Sequence, residues 1–213
     1  MINVKTFIFN PFYENTYLAW DEITKETIII DPGCYGETEE AEIKAFIEVE
    51  KLKIKYLVNT HCHIDHVMGN NFIIKNYKPE FYLPENDLPL LKNIQKQGDM
   101  FGIKLNEPVL SDKFLSESLH LYLGETLIEF LFTPGHSPGE YCVLFREEKI
   151  CFSGDVLFKE SIGRTDLWGG NYDTLICSIE NKLLTLDENT IIYPGHGEST
   201  TIQYESEKNS FLL

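Results

Sequence analysis

Positive charge is what this chain lacks most: 18 Lys and Arg stand against 34 Asp and Glu, a net charge of −16. A field of that sign repels phosphate backbones and anionic lipid surfaces, so neither a nucleic acid nor a membrane is expected as a partner. Long apolar runs are missing too, and nothing approaches the roughly 18 apolar residues that a membrane-spanning helix needs. Residues 1–20 lack the basic start, continuous apolar stretch and small-residue cleavage site of a secretory leader. Cysteine is scarce and scattered: Cys34, Cys62, Cys142, Cys151 and Cys177 form no CxxC pair. An odd, dispersed set reads as reduced thiols rather than a disulfide framework, and the expected compartment is the cytoplasm.

What remains is an ordinary globular composition, 43% hydrophobic over 213 residues, with no low-complexity linker. One domain spanning residues 1–213 is expected. Strand-like runs cover 4–9, 16–20 and 27–30, the last closed by the turn Asp31-Pro32-Gly33. Residues 39–51 place Ala41, Ile43, Ala45, Phe46, Ile47 and Val49 among acids at helical spacing. A short strand over 56–58 and a helix over 87–101 follow. Further strands fall at 119–123, 126–132, 141–145, 149–152 and 190–193, with a helix over 173–184. Strand groups alternating with helices imply a layered α/β architecture.

The six histidines carry the chemistry. Five sit just after expected strands, in turns built from Gly, Pro or Thr: Thr60-His61-Cys62-His63-Ile64-Asp65-His66, Pro134-Gly135-His136-Ser137-Pro138-Gly139 and Pro194-Gly195-His196-Gly197. Another apolar strand ends in Gly154-Asp155. Ligand sites in α/β proteins gather at such strand ends. In extended chain His61 and His63 point the same way and can share one ion. If the chain turns into a helix near Asp65, then Asp65 and His66 face a second ion. Imidazole and carboxylate suit Zn²⁺, with Fe or Mn also possible, and Asp155 can bridge two ions. His120, alternating with Leu119 and Leu121, reads as solvent-facing.

At these residues the sequence resembles the metallo-β-lactamase fold hydrolases, in particular their small glyoxalase II-like branch. Matching pieces are Asp31-Pro32-Gly33, the His61–His66 string, Pro134–Gly139, Gly154-Asp155, Gly163-Arg164-Thr165-Asp166 and Pro194–Gly197. The resemblance implies a four-layer αββα sandwich with two divalent metal ions. His61, His63 and His136 would hold the first ion, Asp65, His66 and His196 the second, and Asp155 would bridge. It also implies a metal-bound hydroxide that attacks a carbonyl, oriented by Asp65 as catalytic residue, and a small-molecule thioester such as a hydroxyacyl-glutathione as substrate. Cys62 lies between two ligands, and its thiol is expected to point away from them. Asp31 reads either as a plain turn former or as a residue supporting the site from behind. Arg164 reads either as a grip for a substrate carboxylate or as a partner for one of the many acids.

The resemblance has limits. Residues 197–213 are too few for the carboxyl-terminal helical domain of full-length glyoxalase II enzymes, and Asp166 stands where those enzymes carry Tyr. Persulfide dioxygenases of the same fold share the His-Cys-His-x-Asp-His string and the Gly-Arg-Thr-Asp loop. They imply a rival reading, one iron held by His61, His136 and Asp155. A non-catalytic binding protein is a third reading, and no ligand has been lost to support it. Substrate choice is expected to reside in loops such as 10–15, 75–101 and 159–172.

Overall fold

A computed structural model describes all 213 residues. The chain divides into two compact units, residues 1–114 with 123–125, and residues 115–122 with 126–213. The first opens with an antiparallel meander of β1 (Ile2–Phe9), β2 (Glu14–Asp21) and β3 (Glu26–Ile30). After helix α1 (Glu37–Glu50), β4 (Lys53–Val58) pairs in parallel with β3. Helix α2 (Asn70–Tyr77) then leads to β5 (Glu80–Tyr82), parallel to β4. Short helices α3 (Leu88–Lys92) and α4 (Ile94–Phe101) complete the unit.

Parallel pairing in the middle of this sheet explains why β3 and β4 read as apolar runs rather than alternations: Ile28, Ile29, Ile30, Leu57 and Val58 are all fully buried. α1 follows from the sequence just as directly. Gly36 enters at φ 83°, Glu37, Glu39 and Glu40 fill the first turn where the helix dipole favours acids, and Lys51 ends it in the left-handed region. Ile43 and Ile47, one turn apart, are its buried contacts with the core.

The second unit holds most of β6 (Leu121–Leu123, its last residue counted with the first unit), β7 (Thr126–Phe132), β8 (Tyr141–Phe145), β9 (Ile150–Gly154), the small hairpin β10 (Leu157–Phe158) and β11 (Ser161–Ile162), helix α5 (Tyr172–Ser178), β12 (Ile191–Pro194), β13 (Thr200–Thr201) and helix α6 (Ile202–Lys208). Its six-stranded sheet runs β13-β12-β9-β8-β7-β6, with β12 and β9 parallel. Cys142, Cys151, Leu175, Leu183 and Ile192 pack into its core.

Expected elements and observed ones differ in places with clear causes. The helix expected over 87–101 is broken at Asn93, whose side chain donates to the Pro89 carbonyl at 2.8 Å and draws the chain out of helical geometry. The helix expected over 173–184 continues past Ser178 as a wider π turn, Ile179–Leu183. α2, β5 and α6 were not expected. α6 is short, and its start is marked by Thr201, which accepts from the Tyr204 N–H at 3.2 Å. No helix is long and apolar enough to cross a membrane.

Two substitutions on α1 test this packing. Ile43→Ala removes a fully buried side chain and should lower the unfolding free energy by about 2–5 kcal/mol in urea titrations. Val49→Ala, at a position 76% exposed, should change it by less than about 0.5 kcal/mol.

Candidate functional site

In the first unit the site residues hang from the ends of β3 and β4. Asp31 follows β3 at φ 48°, a left-handed conformation that Asp tolerates better than most residues, and its N–H bonds the Val58 carbonyl at 2.9 Å. That places its carboxylate beside the loop leaving β4. Oδ1 accepts the Thr60 N–H at 2.7 Å; Oδ2 accepts the Thr60 hydroxyl at 2.6 Å and lies 3.2 Å from His66 Nδ1. Thr60 Oγ1 in turn lies 3.1 Å from His61 Nδ1.

These contacts assign tautomers. The Thr60 hydroxyl gives its hydrogen to Asp31, so it receives one from His61 Nδ1; His66 Nδ1 gives its hydrogen to Asp31 Oδ2 directly. Nδ1 of each ring is thus turned to these contacts, and Nε2 is the atom that would bind a metal. The rings of His61 and His66 have centroids 4.1 Å apart, and those of His61 and His63 4.9 Å. Ile64–His66 forms a single 3-10 turn instead of the start of a helix. Asn10 Nδ2 bonds the Asp65 carbonyl at 2.9 Å and the Gly33 carbonyl at 3.0 Å, and Asn59 Nδ2 bonds the His66 carbonyl at 3.1 Å.

Ligand atoms of Asp31, His61 and His66 lie within 4.8 Å of one another. Since both Asp31 oxygens already accept hydrogens from Thr60 and His66, this carboxylate orients imidazoles. Asp31 sits in the turn after β3 and lies against Thr60 and His66. Cys62 is fully buried in the apolar core, its thiol pushed up by burial and its N–H on Asp87 Oδ2 at 3.1 Å, so it faces away from the imidazoles and is inert.

In the second unit the turn after β7 holds His136, whose Nδ1 lies 2.8 Å from the Arg164 carbonyl. A carbonyl only accepts, so His136 too carries its hydrogen on Nδ1 and presents Nε2. That Nε2 lies 3.5 Å from Asp155 Oδ2, and His196 Nε2 lies 3.7 Å from the same oxygen. Gly135 has φ 140°, and a Cβ there would strike the backbone of Leu175 at the base of α5. The Asp155 N–H is fixed by Glu140 Oε1 at 2.7 Å, and the Gly195 N–H bonds the Gly154 carbonyl at 2.7 Å, which sets His196 beside Asp155. Arg164 forks onto Asp166 with bonds of 2.7 and 2.8 Å, drawing that carboxyl down to about 2, and both side chains are exposed. His120 is exposed as expected.

In each unit a carboxylate oxygen lies near an imidazole Nε2: Asp65 Oδ2 to His66 Nε2 at 3.6 Å, and Asp155 Oδ2 to His136 Nε2 at 3.5 Å. Imidazole nitrogen with carboxylate oxygen is a donor set for Zn²⁺ or Fe.

A family profile described as the Metallo-beta-lactamase superfamily matches residues 9–196. The chain belongs to that superfamily. It is 38% identical to Hydroxyacylglutathione hydrolase GloC of Haemophilus influenzae over 99% of this chain and 98% of that one. Among solved structures, BLEG-1 B3 metallo-beta-lactamase gives a TM-score of 0.90 at 32% identity, covering 99% of both chains. TTHA1623, solved in a di-iron-bound form, gives 0.86 at 33%, covering 98% of this chain and all of that one. The α/β fold of the metallo-β-lactamase type is the fold of this superfamily member, and the class of activity is that of a metal-dependent hydrolase.

Four polar residues escaped the sequence reading: Asn10, Glu14, Asn59 and Glu140. Glu14 is fully buried, its Oε2 accepting the Thr16 hydroxyl at 2.9 Å. Burial pushes its carboxyl well above the ordinary range; His66 pulls it back, and Asp31 and Asp65 push it up further. A carboxyl raised on folding stabilises most at low pH, and that stability is lost as pH rises above the unfolded-state value towards the folded one. Glu14→Gln should remove this loss. In metal-free protein, the melting temperature of the variant should gain on that of the wild type as pH climbs from 4.5, with a free-energy slope of up to about 1.4 kcal/mol per pH unit. A constant difference across that range would refute the assignment.

Proposed function

We propose that this protein is a binuclear thioester hydrolase, with a hydroxyacyl-glutathione as its model substrate. The observation that carries the reading is the Asp31–Thr60 clamp, which occupies Nδ1 of His61 and His66 and makes Nε2 the atom of each ring that would bind a metal. The likeness to GloC, a hydroxyacylglutathione hydrolase matched over nearly its whole length, supports the thioester. In this reading residues 1–213 act as one domain: His61, His63 and His136 hold one ion, Asp65, His66 and His196 another, and Asp155 bridges. Zn²⁺ is the first choice of metal, and the di-iron form of TTHA1623 makes iron the alternative.

Bound divalent ions supply an acidic water near neutral pH and positive charge for the oxyanion. The chain supplies the orientation. Asp65 is held at its main-chain carbonyl by Asn10, so its carboxylate is placed to accept the proton of the attacking water. Arg164 grips a substrate carboxylate by exchanging Asp166 for it; an exposed ion pair is worth at most about 1 kcal/mol, so the exchange is cheap. All five cysteines are free and four are buried, in keeping with a reducing, cytoplasmic setting. A dioxygenase with one iron on His61, His136 and Asp155 gives no work to His66, the residue that the buried Asp31 clamp orients, and so the two-ion reading is favoured over it.

Purified protein should contain two equivalents of metal and release thiol from S-lactoylglutathione, and chelation should abolish the release. One iron with persulfide-dependent oxygen uptake would overturn the proposal. His196→Ala should cut kcat by at least about 100-fold, whereas a mononuclear dioxygenase would keep most of its rate. Asp31→Asn should weaken metal binding by about 10- to 100-fold in equilibrium dialysis, because the tautomer clamp is lost while every ligand stays.

A further inference from the structure

A cavity of about 230 Å³ lies in the first unit, lined in part by Val67 and Met68, the two residues that follow His66 in sequence. Leu91 and Ile94 give it an apolar wall. The roof is the coil 102–110, which has no regular structure yet is held firmly. Asn71 Nδ2 donates to the Glu107 carbonyl at 2.8 Å, and Asn71 Oδ1 accepts the Val109 N–H at 2.9 Å. Within the coil, the Ile103 N–H bonds the Gly98 carbonyl at 2.9 Å.

The rim carries two opposite charges, Glu40 from α1 and Lys104 from the coil, and neither makes an ion pair. Burial and the neighbouring Glu37 push the Glu40 carboxyl up, with Lys75 only partly offsetting them, which marks a carboxylate short of a cation. Asn71 and Asn106 add amide groups to the lining. A space of this size lies below the usual range for drug-sized ligands and suits an amino-acid-sized group.

We infer that this cavity is a subsite for a zwitterionic, amide-bearing group, with Glu40 meeting its ammonium and Lys104 its carboxylate. Under the thioester reading, on which the identity of the ligand rests, that group is the amino-acid end of a peptide thiol whose acyl carbonyl lies at the metal ligands. The strongly acidic chain reinforces the choice, since a net charge of −16 penalises polyanionic acyl carriers far more than a near-neutral zwitterion.

Calorimetry on metal-loaded protein with S-methylglutathione, a thioether that cannot be hydrolysed, tests the subsite. Binding is expected, and Glu40→Gln and Lys104→Gln should each weaken it by about tenfold or more. A deaminated analogue lacking the ammonium should bind the wild type more weakly by a similar factor and be insensitive to Glu40→Gln. Ile94→Trp, which fills the cavity from its apolar wall, should abolish binding, with circular dichroism confirming the fold. No binding to the wild type, or undiminished binding to both charge variants, overturns the subsite. Phenyl thioacetate, which has no amino-acid group, separates the two claims: failure of the wild type to cleave it sinks the thioester reading by itself.

Discussion

The histidine loop of the first unit depends on one buried carboxylate. Asp31 is 2% exposed and makes three contacts, one to the Thr60 N–H and two that lead to imidazoles, directly at His66 and through the Thr60 hydroxyl at His61. A carboxylate deprived of water is costly unless hydrogens reach it, so Asp31 draws the Thr60 N–H, the Thr60 hydroxyl and the His66 Nδ1–H to itself. What looks like support for the loop is equally a demand by the acid. Satisfying that demand fixes the tautomer of two rings before any ligand arrives.

The same constraint reaches back into the sheet. Asp31 can turn off β3 only at positive φ, which costs a non-glycine residue roughly 1 kcal/mol or more. Gly33 cannot carry a Cβ, because the side chains of Glu14 and Asn10 and the Asp65 carbonyl crowd the space it would occupy. Thr16 closes the turn from beneath, accepting the Gly33 N–H at 2.8 Å and lying 2.9 Å from the Asp31 carbonyl. Strain at Asp31 is therefore held by a ring of buried polar contacts. The second unit solves the problem differently: a main-chain carbonyl, that of Arg164, orients His136, and Glu140 grips the backbone of Asp155 rather than its carboxylate.

This contrast explains what could be read from sequence. The His61–His66 string stood out because its ligands lie within six positions and extended geometry aligns alternate residues. Turns of the form strand, Gly, ligand were legible for a similar reason, since each packs its chemistry into a few letters. Asn10 and Glu140 were not, for each is a single polar letter whose partner lies well along the chain: 55 positions separate Asn10 from Asp65, and 15 separate Glu140 from Asp155. The orienting role of Arg164 was hidden because a carbonyl has no letter at all. Among the helices, α1 declared itself by a full amphipathic period, while α2 and α6, of 8 and 7 residues, offered too few turns for a period to emerge.

Burial of acids also sets the energetic relation between site and fold. Asp31, Glu14 and Asp65 in the first unit, and Glu140 and Asp155 in the second, are all less than a tenth exposed in a chain already at −16. Their repulsion is partly relieved by hydrogen bonds, and burial pushes the Glu14 carboxyl well above its ordinary range. Asp65 Oδ2 lies 3.6 Å from His66 Nε2, and Asp155 Oδ2 lies 3.5 Å from His136 Nε2 and 3.7 Å from His196 Nε2. A cation bound there would offset the repulsion among these acids, so part of its binding free energy would be relief of an electrostatic cost already carried by the folded chain. Metal affinity and conformational stability would then be two readings of one electrostatic arrangement.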